Sequence, residues 1–293
     1  MIATALGSVE AEIIGSGQPV IAVHGSPGGI DGARMMVRFL PPDRFRTIVF
    51  SRPGYLGTPL DPSDTSIDHE ADLMSGLLDA LDIPRAGVLA WSGGGPSAYR
   101  LAVRHPDRVS SLVQVAAVSA RWIAPHYPLS DRFLFGTPFG GWLVRSLSRL
   151  APAQLVGGAF AGEGSLSPDE LRGLTASVMA DADQREAVLA VARTMNWSGR
   201  RRAGWDNDVA NYAAIESLEL ERVRCPVLLV HGDADTDAIP AYSESAHAVL
   251  PHSELIWMPR GTHLAFYAHP RASQVQEQAR AWLATTDSAL HAG

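Results

Sequence analysis

Ser92 is the residue of this sequence whose surroundings best suit a nucleophile. It ends the apolar run of residues 88–91, and a small residue, Ala90 or Gly94, stands two positions away on each side. A serine exposed on a sharp strand-to-helix turn has a strained backbone, and the neighbouring chain passes so close that only small residues fit. The Gly93 amide is unobstructed and can donate to an oxyanion at the start of the helix that begins near Pro96. The pattern predicts an activated serine.

Two other interpretations of this turn stay open. It can be an ordinary structural turn, or a loop that binds phosphate, since residues 93–98 (GGGPSA) satisfy the loose dinucleotide pattern G-x-G-x-x-G/A. A dinucleotide site, however, belongs on the first strand of its domain and needs an acidic residue about 20 positions later. The following strand, residues 111–118, contains no acid. The nucleophile is therefore the favoured interpretation.

Carboxylates and a histidine follow two strand patterns near the end of the chain. The apolar residues 226–230 run into 231–240 (HGDADTDAIP), and residues 254–259 precede a loop that contains His263. Catalytic groups of open α/β sheets gather at the carboxyl ends of strands, so both loops and the Ser92 turn are expected on one edge. Histidine has the pKa that a base for serine requires, and a buried carboxylate fixes its tautomer.

The chain resembles the α/β-hydrolase superfamily in the order Ser, Asp, His and in three further motifs. Within the superfamily it is similar to the lid-containing serine hydrolases of the esterase and proline iminopeptidase-like branch. The motifs are residues 24–29 (HGSPGG), 51–59 (SRPGYLGTP) and 104–109 (RHPDRV). The resemblance covers residues near 18–120 and 222–285 and is weak between them. It implies that the Ser26 amide is the second oxyanion donor beside Gly93.

The resemblance also implies an architecture. We expect an α/β fold with a mostly parallel, eight-stranded sheet, helices on both faces and a helical lid inserted after the sixth strand. The core then comprises residues 1–120 and 218–293, and the lid comprises residues 121–217. Residues 167–170 (SPDE) support helices in this middle part, because they form a capping box with proline at the first helical position.

The acid segment carries three candidates, of which Asp233 is expected to stabilise the turn, so that Asp235 and Asp237 remain for the triad acid. The family pattern places the acid three residues after the glycine and about four before the proline, and here these two distances point to Asp235 and Thr236. Asp235 is the favoured acid. Residues two apart in an extended turn point to opposite sides, so we expect only one of the two aspartates to reach His263.

The middle part is rich in aromatic residues, and some of them are expected to face Ser92 in an apolar pocket. The substrate-binding candidates are Trp91, Trp122, Phe139 and Trp142. Such a pocket favours a hydrophobic acyl or alcohol group. The leading hypothesis is a carboxylic-ester hydrolase that acts through an acyl-enzyme on Ser92.

Other functions are compatible with these residues. A proline iminopeptidase-like aminopeptidase would hold a substrate amine with lid carboxylates, for which Glu163, Asp181 and Asp183 are available. A carbon–carbon bond hydrolase, a cofactor-free perhydrolase and a non-catalytic protein that binds a small ligand share the fold. A dehydrogenase is a remote alternative.

The composition of the chain limits the kinds of molecule that it is expected to bind. The net charge is −7 and the longest basic run is three arginines, residues 200–202, so we expect a small-molecule substrate and no nucleic acid. A single cysteine, Cys225, precludes an intramolecular disulfide. We expect no metal, no cofactor, no membrane span and a cytoplasmic location, while the oligomeric state stays open.

Overall fold

A seven-stranded sheet forms the centre of the molecule. The computed structural model describes residues 1–284, and the last nine residues of the expected core lie outside them. The strands, in chain order, are β1 (Ile2–Thr4), β2 (Gly7–Val9), β3 (Ala11–Ile14), β4 (Gln18–Val23), β5 (Phe45–Phe50), β6 (Ala86–Trp91), β7 (Val109–Val115), β8 (Val227–Gly232) and β9 (Ser253–Met258). The main sheet has the order β3-β5-β4-β6-β7-β8-β9, and only β3 pairs antiparallel.

Helices cover both faces of this sheet. They are α1 (Ile30–Met36), α2 (Ile67–Ala80), α3 (Gly95–Arg104), α4 (Leu129–Gly136), α5 (Pro138–Leu150), α6 (Pro152–Gly162), α7 (Pro168–Ala180), α8 (Ala182–Thr194), α9 (Arg202–Ala213), α10 (Ala241–Val249) and α11 (Ala272–Leu283). Alternate residues of each strand face opposite sides. In β6, Leu89 packs on the face with α1 and α11, and Val88 packs on the face with α2, α3 and α10. A mostly parallel sheet between two helix layers is therefore confirmed.

The predicted count of eight strands is wrong for this sheet. The first two strands form a separate antiparallel hairpin in which Ile2 pairs with Val9, and β1 packs against α2. Each of these strands has three residues, and the chain passes Glu10 before it joins the sheet edge as β3. The helical segment follows β7, which is the seventh strand of the chain and the fifth strand of the main sheet rather than a sixth.

Parallel pairing brings several carboxyl ends to one edge of the sheet. β4 ends just before His24, β6 ends just before Ser92, and β8 ends just before the loop that contains Asp235. The central strands β6 and β8 are buried along their whole length, as expected for parallel strands covered on both faces. The loops at this edge therefore stand on a rigid base.

Six helices, α4 to α9, occupy residues 129–213 between β7 and β8, and we call this part the helical insert. The capping box predicted at the start of α7 is present, since Ser167 accepts from the Glu170 amide and Glu170 accepts from the Ser167 amide. The insert lies within the range expected for a lid. Its action as a lid stays a prediction.

Among residues 1–284, no helix is both long and apolar enough to cross a membrane.

Candidate active site

Ser92 occupies the sharp turn between β6 and α3. Its φ is +53°, a left-handed conformation that non-glycine residues rarely adopt, and its side chain is 8% exposed. The close approach expected at this turn is present at Gly94, where an added Cβ would lie 2.4 Å from the Val23 carbonyl oxygen. Gly25 lies on the other side, where an added Cβ would be 3.1 Å from Ser92 Cβ. The turn thus has the geometry of a nucleophile elbow.

Asp235 and His263 are hydrogen-bonded in the neighbouring loops. His263 Nδ1 lies 2.8 Å from Asp235 Oδ2, and both residues are 4% exposed. The other carboxylate oxygen, Oδ1, accepts from the amides of Asp237 at 2.9 Å and Ala238 at 3.1 Å. The carboxylate is therefore fixed, and it holds the proton of the imidazole on Nδ1. Nε2 is left as the nitrogen that can act as a base.

Asp237 also reaches the imidazole, from the other side. Its Oδ2 lies 3.5 Å from His263 Nε2. The expectation that only one aspartate reaches His263 is wrong, because the turn bends around the ring and presents one carboxylate to each nitrogen. Burial lowers the pKa of His263, but the carboxylates around it, led by Asp235, more than offset this and raise it to about 10.

Two carboxyls that interact with the charge of His263, Asp237 and Glu163, have raised pKa values. Burial raises the pKa of Asp237, with only partial compensation from His263. Burial raises the pKa of Glu163 to about 8, and the charges of Asp237 and Asp235 add to this shift. Glu163 Oε2 is buried and has no hydrogen-bond partner among the described residues. Burial thus disfavours the charged form of both carboxyls.

Trp91 connects the Ser92 turn with His263. Trp91, which precedes the serine, stacks on the His263 ring with 5.4 Å between ring centroids. Within residues 1–284, the Ser92 hydroxyl makes no hydrogen bond with His263, whose Nε2 instead faces Asp237. Hydrogen bonds of a reaction centre are often loose without substrate.

Ser26 and Gly93, the predicted oxyanion donors, lie against each other. An added Cβ on Gly93 would be 2.8 Å from Ser26 Cβ. The loop after β4 and the elbow after β6 are adjacent because these strands pair in parallel, with Val23 opposite Ala90. The two predicted donors therefore come from adjacent loops, and their role in binding an oxyanion stays a prediction.

A cavity of about 450 Å³ opens in front of Ser92 and is bounded by the helical insert. Its wall is mainly apolar and aromatic. The aromatic residues that line it are Trp122, Tyr127, Phe135, Trp197, Trp205 and Tyr212. Its carboxylates are Asp131, Glu163, Asp208 and Asp237. The cavity has the size and apolar character of a small-molecule site.

Of the four predicted substrate-binding residues, only Trp122 lines this cavity. Trp91 is buried behind His263, where its ring also contacts Tyr267 at 5.8 Å. Phe139 and Trp142 lie on the outer side of α5 and are 58% and 54% exposed. These three predictions are corrected. Trp91 packs into the buried core. Phe139 and Trp142 lie on the face of α5 that is exposed at the surface.

Asp208 and Tyr212 belong to the site and were missed by the sequence analysis. Both lie on α9, both are less than 4% exposed, and both line the cavity. Their spacing of four residues puts them on one face of the helix. That spacing was the only available signal, since no motif connects them with Ser92 in the sequence.

Comparisons with known proteins agree with this geometry. Residues 18–270 match the alpha/beta hydrolase fold family. A solved alpha/beta hydrolase fold protein from Nakamurella multipartita is 46% identical, covers 97% of this chain and 98% of its own, and superimposes with a TM-score of 0.94. An uncharacterized hydrolase, YcgS, from Bacillus subtilis is 29% identical over 86% of this chain and 90% of its own length.

A third relative is named as an esterase. The pimeloyl-[acyl-carrier protein] methyl ester esterase of Neisseria meningitidis serogroup C is 30% identical over 75% of this chain and 77% of its own. The chain belongs to the alpha/beta hydrolase fold family, as its sequence motifs predicted. Its hydrolase and esterase relatives support hydrolysis, and of esters in general.

Proposed function

We propose that this protein is a serine hydrolase that cleaves the carboxylic ester of a small, largely apolar substrate through an acyl-enzyme on Ser92. The observation that carries the proposal is the Asp235–His263 hydrogen bond of 2.8 Å, combined with Trp91 stacked on His263 and with Ser92, the next residue, at φ +53° in the wall of an apolar cavity. The esterase relatives favour the same bond.

Each proposed step uses a residue at this edge of the sheet. His263 Nε2 takes the Ser92 proton while Oγ bonds the ester carbon, and the carbonyl electron pair moves to oxygen. The amides of Ser26 and Gly93 bind that oxyanion. The intermediate collapses, the ester C–O bond breaks, and the leaving alcohol takes the proton from His263. Water then repeats the sequence on the acyl-enzyme, releasing the acid and free Ser92.

The test measures turnover and covalent labelling together. Wild-type protein should hydrolyse nitrophenyl esters and react with a fluorophosphonate, and Ser92→Ala should abolish both. Ser111→Ala is the matched control, because Ser111 is a fully buried serine of the neighbouring strand β7 whose hydroxyl has no partner among the described residues. Labelling that persists in Ser92→Ala would contradict the proposal. The acyl length with the highest kcat/KM shows which length of acyl chain the cavity accommodates best.

An aminopeptidase is a second candidate, favoured by one observation. Glu163, which the sequence analysis offered as an amine ligand, lines the cavity with an unpartnered Oε2. Asp181 and Asp183 lie elsewhere, since Asp181 caps α8 and both line a separate polar cavity. Release of nitroaniline from a prolyl nitroanilide, lost in Glu163→Gln, would support this candidate; no release under conditions where esters are cleaved would eliminate it.

A further inference from the structure

Arg52 is the centre of a buried polar network beneath the cavity. It is 1% exposed and is bound by two carboxylates, Glu70 through Nε at 2.6 Å and Asp208 through Nη2 at 2.8 Å. Glu70 belongs to α2 of the core, whereas Asp208 comes from α9 of the helical insert. A buried arginine between two such partners joins the insert to the core through a geometrically specific contact.

Asp208 receives hydrogen bonds from three different residues. Its Oδ2 accepts from Tyr55 at 2.6 Å, from Arg52 Nη1 at 3.0 Å and from the Ser26 hydroxyl, while Oδ1 accepts from Arg52 Nη2. Each hydroxyl has one proton, so the Ser26 proton is committed to Asp208. The side chain of Ser26 is thereby fixed by the insert.

Tyr212 fixes the other side of the same site. Its hydroxyl donates to the Gly93 carbonyl and accepts from Arg52 Nη2 at 3.0 Å. Asp208 and Tyr212 lie one helical turn apart on α9. One face of a single helix therefore holds both residues whose amides are proposed as oxyanion donors, Ser26 through its side chain and Gly93 through its carbonyl.

We propose that Asp208 and Tyr212 are positioning residues that set the oxyanion geometry, so that the helical insert is part of the catalytic machinery as well as the wall of the cavity. The inference rests on the proposed function. Neither residue needs to touch the reacting atoms for this role. The Ser26 and Gly93 amides must instead be positioned to donate to an oxygen that carries charge only in the transition state. Small displacements of these amides therefore have large effects on rate.

The experiment compares three conservative variants with wild-type protein. Tyr212→Phe removes the bond to Gly93, and Ser26→Ala removes the bond to Asp208 but keeps the Ser26 amide. Tyr55→Phe is the matched control, because Tyr55 is buried and bonds the same carboxylate but forms no hydrogen bond with Ser26 or Gly93. The readouts are kcat and KM for a nitrophenyl ester, inhibition by a boronic acid that forms a tetrahedral adduct on serine, and the melting temperature.

We expect Tyr212→Phe and Ser26→Ala to lower kcat by roughly ten- to a hundredfold, less than the outright loss of a donor, with KM within about twofold. Boronic acid inhibition should weaken in parallel, and Tyr55→Phe should keep both near wild type. Equal kcat losses in Tyr212→Phe and Tyr55→Phe, or a change in KM alone, would overturn the inference and leave the proposed function intact. Wild-type protein without Ser92-dependent turnover would overturn both.

Discussion

His263 has a carboxylate at each ring nitrogen, and the two carboxylates have different consequences. Asp235 is buried, bound by two amides and placed at Nδ1, where it selects the tautomer. Asp237 is placed at Nε2, the nitrogen proposed as the base, with its Oδ2 3.5 Å away. The first arrangement orients the base, and the second stabilises its protonated form. Two predictions at the residue scale separate these effects.

Asp235→Asn should fold normally and lose roughly 10⁴-fold in turnover. The amide would donate to Nδ1 instead of accepting from it, which leaves the imidazole with its proton on the wrong nitrogen. The measurement is kcat for a nitrophenyl ester, with the melting temperature as a check on folding. A variant that retains most of the wild-type rate would remove Asp235 from the triad.

Asp237→Asn should move the pH profile and increase the rate at neutral pH. Only neutral His263 can accept the Ser92 proton, so kcat/KM rises as the pH rises through its pKa, which is raised to about 10. Removing the charge 3.5 Å from Nε2 lowers that pKa and shifts the rise to lower pH. The pH dependence of kcat/KM measures this, with Asp43→Asn as an exposed control. A profile that stays in place, or moves to higher pH, would contradict this assignment.

At the scale of elements, the elbow depends on how closely α3 approaches β4. The turn after β6 brings Gly94 against the end of β4, and no side chain fits between them. The left-handed Ser92 is held by this contact rather than by its own preference. A change at Gly94 should therefore disturb the turn.

Gly94→Ala should destabilise the protein by about 1–3 kcal/mol and remove most activity, as expected for overpacking at a site that cannot relax. Its Cβ would lie 2.4 Å from the Val23 carbonyl oxygen. Gly173→Ala in α7 is the control, because nothing lies within 4 Å of its added Cβ. There alanine should stabilise the helix by about 0.5–1 kcal/mol. Urea unfolding measures both, and equal stability of the two variants would contradict the close-approach argument.

The apolar cavity between the core and the helical insert has a consequence for the stability of the protein. A buried carboxyl oxygen in its wall is costly to ionise, and this cost depends on the fold remaining closed around it. Glu163 is the clearest case, with a pKa raised by burial to about 8 from an ordinary value of 4.5.

The free energy of unfolding should fall as the pH rises from 4.5 to 8. Between these values the folded protein keeps the Glu163 proton that the unfolded chain has released, so the stabilisation present at low pH is lost as the pH passes the folded pKa. The Glu163→Gln variant has no ionisable group at this position. The difference between its melting temperature and that of wild type should therefore be more positive at pH 9 than at pH 5. Glu254→Gln, at an exposed position of β9, is the control. An identical pH slope in wild type and Glu163→Gln would rule out the effect.

The family, the parallel sheet and the residues at the strand ends could all be predicted from the sequence. These depend on local requirements, such as small residues at 90 and 94 around Ser92 and a buried apolar strand before Asp235. Such requirements leave a recognisable spacing in the chain. The capping box at Ser167 was predictable for the same reason.

The side chains that surround Ser92 and His263 could not be predicted from the sequence, because they come together through long-range packing. Asp208 and Tyr212 reach Ser26 and Gly93 across more than 110 positions of sequence, and no local pattern records such a contact. Both aspartates reach His263 because the loop bends around the ring. The α5 aromatics turn outward because the rotation of a helix in its final packing, and not residue type, decides which face meets the cavity.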